Sequence, residues 1–186
     1  LEKKYKFKTK SDTEVILRAY EEYGPDCVQK LNGMFAFAIW DSKKSILFLA
    51  RDRVGIKPLY YYQNATRFMF ASEAKAFLAD PAFLCILNRQ AAAEYLTFQN
   101  IMDDKTFFEG VKMLLPGHYI IVQNGIVSTT KYWDASYVKS DKRKVEDYYT
   151  EFRSILSRSV ARHMVSDVPL GSYLSGGFDS GSIATF

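Results

Sequence analysis

Between Met34 and Tyr132 the chain keeps breaking into short apolar segments separated by turn-forming residues, and this punctuation is the strongest constraint on its fold. Residues 34–40, 45–50, 59–62 and 67–71 have the length and composition of strands, with Asp41-Ser42-Lys43-Lys44 and Gln63-Asn64-Ala65-Thr66 as the turns that join them. Residues 119–123 and 126–132 flank Asn124-Gly125, the dipeptide that favours a type I′ hairpin. Hairpins of this kind predict antiparallel sheets.

Helices frame these segments. Ser11-Asp12-Thr13-Glu14 has the form of a capping box, ahead of a helix with apolar positions Val15, Ile16, Ala19, Tyr20 and Tyr23 that Gly24-Pro25 ends. A short helix is expected over about 73–78, with Glu73 at its start, and Asn88 can cap another reaching about residue 98. Residues 1–10 hold five Lys and one Glu, which accounts for the whole formal net charge of +4. They alternate, with Lys4, Lys6, Lys8 and Lys10 on one side and Tyr5, Phe7 and Thr9 on the other. That period predicts a strand with a wet, lysine-guarded face, in preference to a nucleic-acid surface, which needs a wider basic field.

Composition excludes several classes. With 48% apolar and 25% charged residues, the chain is not of the disordered kind. No apolar run approaches the ~18 residues that span a bilayer. Cys27 and Cys85 lie far apart, with no Cys or His at metal-ligand spacing, and His118 and His163 are isolated. A disulfide framework and a histidine metal site are therefore not expected, and a reducing, cytoplasmic compartment fits better. The chain opens without Met, so residue 1 is not expected to be the natural start.

After residue 133 the composition changes. Residues 134–144 are polar and read as a linker, after which Val145, Tyr148, Tyr149, Phe152, Ile155, Leu156, Val160 and Met164 mark one face of a long helix. Pro169 follows, then a short apolar strand over 170–174, then Ser175-Gly176-Gly177-Phe178-Asp179-Ser180. Helix, strand and Gly-rich turn open an α/β unit. The glycines leave backbone N–H groups unobstructed, Ser175 and Ser180 add hydroxyls, and a following helix would aim its positive end at the same spot, which together cradle a phosphate chain. Asp179 can hold Mg²⁺ against those phosphates. The plainer alternative is a tight turn with Ser or Asp as the helix N-cap.

Ser-Gly-Gly-x-Asp-Ser after a strand resembles the PP-loop of the ATP pyrophosphatases, and its approach, Arg162-His163-Met164-Val165-Ser166-Asp167-Val168-Pro169-Leu170-Gly171, resembles the synthetase domain of the glutamine-hydrolysing asparagine synthetases. Upstream, Leu31-Asn32-Gly33-Met34-Phe35-Ala36-Phe37-Ala38, Arg51-Asp52-Arg53-Val54-Gly55-Ile56-Lys57-Pro58-Leu59-Tyr60-Tyr61 and Ala71-Ser72-Glu73-Ala74-Lys75 resemble the later half of that family's glutaminase domain. Leu115-Pro116-Gly117-His118-Tyr119 and Tyr132-Trp133-Asp134 resemble its exit towards the synthetase domain.

The resemblance implies an α+β chain. Residues 1–133 would be the C-terminal part of an N-terminal-nucleophile αββα sandwich of antiparallel sheets, 134–144 a linker, and 145–186 the first helix–strand unit of a PP-loop α/β domain. It implies a catalytic cysteine upstream of Leu1, which neither Cys27 nor Cys85 matches, with both read as packing. The upstream Arg and Asn-Gly of the glutamine pocket have no counterpart here. Asp12 matches the acidic residue that holds the α-amino group of glutamine, although an Asp in a first helical turn is also favoured by the helix dipole. Tyr173, Leu174, Ser175, Gly176, Gly177, Asp179 and Ser180 match the ATP and pyrophosphate site, with Asp179 on Mg²⁺. Phe178 and Gly181 stand where the family most often has Leu and Ser, so Gly181 removes one phosphate donor.

Of the remaining residues, Arg51-Asp52 reads as a buried structural pair, Gly55 and Pro58 as turn formers, and His163 as a packed helix residue. The implied activity is ATP-driven adenylation of aspartate followed by amidation with ammonia from glutamine. The implied partners are glutamine, aspartate and ATP, with no nucleic acid or membrane and a homodimer left open. A β-lactam-synthetase-like ligase with another acceptor and a non-enzymatic binding fragment are the alternatives.

Overall fold

The computed structural model describes Leu1, residues 4–137 and residues 143–186, so part of the expected linker, 138–142, lies outside the described residues. The chain divides into two compact units, Leu1–Ala135 and Ser136–Phe186.

In the first unit, helices α1 (Asp12–Tyr23) and α2 (Cys27–Lys30) precede strands β1 (Ala36–Asp41), β2 (Ile46–Arg51), β3 (Tyr60–Gln63) and β4 (Phe68–Ala71). Helix α3 (Arg89–Phe98), then β5 (Val111–Met113), β6 (His118–Gln123) and β7 (Ile126–Lys131), complete it. One four-stranded sheet has the order β1-β2-β6-β7 and one three-stranded sheet the order β4-β3-β5. Every pairing is antiparallel. The hairpins form where the turn residues stand: Asn124 and Gly125 have φ of 52° and 77°, the two positive angles a type I′ turn demands.

Strand alternation sorts the side chains into three layers of core. From β2 and β6, Ile46, Phe48, Ala50, Tyr119 and Ile121 face Ala19, Tyr20, Cys27 and Val28 of α1 and α2. The intervening Leu47, Leu49, Ile120 and Val122 face the second sheet, meeting Leu59, Tyr61, Phe68 and Leu114. The far side of that sheet, with Tyr60, Tyr62, Met69 and Val111, is covered by Phe77, Phe83 and Phe108. The two antiparallel sheets therefore lie face to face between outer layers, as expected. Phe48 is fully buried and lies 5.4 Å from the rings of Tyr20 and Tyr119. Burial of such a side chain is worth about 1.5–3 kcal/mol.

Several elements differ from expectation. Among the described residues of the N-terminal stretch there is no strand, although Lys4, Lys6 and Lys8 are exposed while Tyr5 and Phe7 are half-buried. Its backbone donors go to a side chain instead: Lys8 and Thr9 N–H donate to the Glu14 carboxylate at 3.0 and 2.7 Å. Glu14 is thereby diverted from the capping box, and only Ser11 Oγ caps α1, accepting from Thr13 N–H at 3.2 Å. The segment expected as helix 73–78 is a 3-10 turn, Ala74–Ala79, with no side-chain cap from Glu73, which pairs with Lys75 at 2.7 Å. Cys85 is exposed, not packed.

In the second unit, α4 (Val145–His163) and α5 (Phe178–Ala184) form, but residues 170–174 are not a strand. A strand exists only by pairing, and no other strand lies among the described residues of this unit. No residue of α4 is buried, and His163 is exposed, with Nδ1 2.8 Å from Ser159 O.

Candidate functional site

The first site grows from a buried turn. β2 ends in Arg51 and Asp52, which are 5% and 1% exposed. They do not pair with each other; each organises backbone. Asp52 Oδ1 accepts from Val54 and Ile56 N–H at 3.2 and 3.0 Å, and Oδ2 from Phe35 and Lys57 N–H at 3.3 and 3.0 Å. The Arg51 guanidinium donates to the carbonyls of Gly55, Lys57 and Leu114 at 2.7, 2.7 and 2.6 Å. An acceptor-only group and a donor-only group thus satisfy the polar backbone of a loop with no ladder of its own. Tyr132 Oη donates to Arg51 O at 2.7 Å, and burial pushes its phenol up to about 12, so it stays a neutral donor.

This turn forms one wall of a cavity of about 440 Å³. Asp12, Thr13 and Ile16 of α1 line it, with Met34 to Phe37 at the start of β1, Lys57 and Pro58 of the turn, and Ser72 after β4. Asp12 is exposed at the first turn of α1, and its contacts with the hydroxyls of Ser11 and Thr13 are long, 3.4 Å each. Among the described residues neither Asp12 nor Lys57 has an ion-pair partner. The cavity therefore carries one uncommitted carboxylate, that of Asp12, an arrangement that suits an ammonium group. Lys57 escaped the sequence reading because Gly55 and Pro58 on either side explain the turn without it, and no local pattern shows that it lines a cavity.

Cys27 lies elsewhere, sealed between α1 and the sheet, where burial pushes its thiol up to about 11.

The second site is the glycine loop. Gly176 has φ +80°, whereas Gly177 has the ordinary φ of −80°. Ser175 and Ser180 Oγ are 2.9 Å apart and so draw the two ends of the loop together. α5 begins directly after Gly177 with no side-chain cap, so its first-turn N–H groups have no intrahelical partner. An open hollow of about 520 Å³ lies against Gly176, Gly177, Phe178, Gly181, Ser182 and Thr185. Asp179 sits in the first turn of α5, while Tyr173 and Leu174 are exposed on the approach. This donor set fits phosphate oxygens. The single carboxylate fits Mg²⁺ bound in the usual way, through one or two protein carboxylates and the phosphates themselves. Among the described residues no three His, Cys, Asp or Glu come together as a metal group, and no helix is long and apolar enough to cross a membrane.

Residues 1–133 match the family described as glutamine amidotransferase domain, and residues 151–186 match the family described as asparagine synthase. The chain belongs to the glutamine amidotransferase domain family, of the asparagine synthetase kind. It is 39% identical to glutamine-hydrolysing asparagine synthetases 3 and 1 of Bacillus subtilis, over 96% and 98% of its own length and 29% of each of theirs. It is 36% identical to amidase chyE of Penicillium rubens, over 99% of this chain and 27% of that one. The chain thus spans less than a third of the length of these relatives.

Proposed function

We propose that this chain is part of a cytoplasmic, glutamine-dependent asparagine synthetase. Residues 1–133 would belong to its glutaminase domain, 134–144 would link, and 145–186 would open its ATP-using domain. The observation that carries the reading is the Asp12 cavity: an amino-acid-sized space with a free carboxylate in the half of the chain that matches the amidotransferase family.

In this reading Asp12 holds the α-ammonium of glutamine. The Gly176-Gly177 backbone with the Ser175 and Ser180 hydroxyls holds the pyrophosphate part of ATP, next to Tyr173 and Leu174. Asp179 would hold Mg²⁺, which when bound neutralises phosphate charge. The reaction begins when the β-carboxylate of aspartate attacks the α-phosphorus of ATP and pyrophosphate leaves. Ammonia released from glutamine then attacks the acyl carbon and AMP leaves. Activation turns a poor leaving group into a good one, and enclosure protects the acyl-adenylate from water. A second reading keeps the same frame with a different acceptor, and a relative with a name other than asparagine synthetase, an amidase, has nearly the same identity to this chain.

The test uses the intact protein. Asp12→Ala removes a charge-assisted bond to an ammonium, worth about 1.5–3 kcal/mol. The KM for glutamine is expected to rise about ten- to a hundredfold while ammonia-dependent synthesis is retained. An unchanged KM returns Asp12 to the role of a helix-start residue. Pyrophosphate release that ignores aspartate selects the other acceptor reading.

A further inference from the structure

We infer that Asp52, assisted by Arg51, is a positioning residue that sets the width of the cavity facing Asp12. The inference rests on the glutaminase reading and extends it to a group that does not itself line the cavity.

The geometry centres on one atom. Asp52 Oδ2 accepts from Phe35 N–H and from Lys57 N–H. Phe35 belongs to the strand wall of the cavity and Lys57 to the turn wall, so a single buried oxygen holds the two walls at a fixed separation. Lys57 is held on both sides of its Cα, its N–H by Asp52 and its C=O by Arg51 Nε at 2.7 Å. The backbone of this wall residue therefore has little freedom, and its place relative to Asp12 is decided by a carboxylate behind the wall. A third tie runs the other way: Asp52 N–H donates to Phe35 O at 2.9 Å, which extends the β1–β2 pairing by one residue to the cavity rim.

Only an acceptor-only group can do this. With asparagine, one of the two oxygens becomes an NH₂ facing two backbone N–H groups, so either the Phe35–Lys57 pair or the Val54–Ile56 pair must part. Displacements of about 1 Å at a reacting centre cost up to about a hundredfold.

The test measures both half-reactions of the intact protein. Asp52→Asn is expected to raise the glutamine KM, or lower kcat/KM, by about ten- to a hundredfold. Ammonia-dependent synthesis is expected to stay within about twofold, because the synthetase chemistry shares none of these contacts. Arg51→Lys, which keeps the Asp52 bonds but loses the fork that grips the turn, is expected to act in the same direction more weakly. It decides the matter if Asp52→Asn does not fold, with the thermal midpoint followed by circular dichroism. Unchanged glutamine kinetics in a folded variant overturn the inference. So does an equal fall of glutamine- and ammonia-driven synthesis together with the midpoint, which marks a purely structural pair. A wild-type protein that hydrolyses no glutamine sinks the functional reading itself; a wild type that hydrolyses it and depends on Asp12, beside an indifferent Asp52→Asn, sinks only the positioning role.

Discussion

Gly55 measures how little room the buried turn leaves. It has φ +68°, and a Cβ there would stand 2.8 Å from Pro116 Cγ and 3.0 Å from the Arg51 guanidinium. Gly125 has a similar φ, +77°, with nothing within 4 Å of its would-be Cβ. Gly125→Ala should therefore cost only the left-handed backbone penalty, about 1–2 kcal/mol. Gly55→Ala should add crowding of about 1–3 kcal/mol. Urea unfolding of the two variants at unchanged m-value checks the difference; equal losses would show that Pro116 and Arg51 yield freely. The sequence reading of Gly55 as a turn former covers only part of its role. The pattern Arg-Asp-x-x-Gly marks a turn, but only the folded chain shows that the glycine also makes room for a guanidinium. Likewise Arg51 and Asp52 were legible as a buried pair, yet they satisfy backbone groups and not one another.

Elements were legible where a local signal decides their geometry. Asn124-Gly125 fixes both hairpin angles by itself, and Asn88 caps α3 by accepting from Ala91 N–H at 3.0 Å. Elements that depend on a partner were not. The alternating N-terminal stretch has the right period but gives its N–H groups to Glu14, and residues 170–174 have strand composition without a strand beside them. β5 went unread because Val111-Lys112-Met113 is too short to show a period; it exists by pairing with β3. The loop-and-helix element of residues 175–184 was read correctly as turn then helix, and its chemistry is testable. In the intact protein Asp179→Asn should abolish pyrophosphate release with ATP, Mg²⁺, aspartate and ammonia, because the proposed metal loses its one protein carboxylate. Glutaminase activity without ATP should persist. Gly176→Ala should harm pyrophosphate release more than Gly177→Ala, since only Gly176 has a positive φ. Near-normal pyrophosphate release by Asp179→Asn would reduce the loop to a plain turn.

At the scale of the whole chain, the order of motifs led to an expected amino-acid site in the first unit and an expected phosphate-binding loop in the second, but no sequence signal showed which side chains share a cavity. Residues as distant as Asp12, Phe35, Lys57 and Ser72 meet only because β1 starts and β4 ends beside the start of α1. That convergence also shows what the cavity lacks. Its hydroxyls, from Thr13 and Ser72, have no histidine among the residues lining it, and His118 instead has Nδ1 2.8 Å from Pro116 O. Cys27 is outside the cavity, and with its thiol pushed up to about 11 only roughly one molecule in ten thousand carries a thiolate at pH 7. Cys85 is exposed and likewise not part of the cavity lining. Among the described residues, the cavity that holds the proposed amino-acid anchor Asp12 has no cysteine in its lining. Incubated by itself with glutamine, the 186-residue chain is expected to release glutamate no faster than buffer does, and a thiol reagent is expected to modify Cys85 well before Cys27. Glutamate measured by a coupled dehydrogenase assay decides the first point and peptide mass mapping the second. Glutamate release that scales with the amount of this chain and disappears in Cys27→Ala would show that the buried thiol reaches the cavity, and the separation of anchor from nucleophile would have to be abandoned.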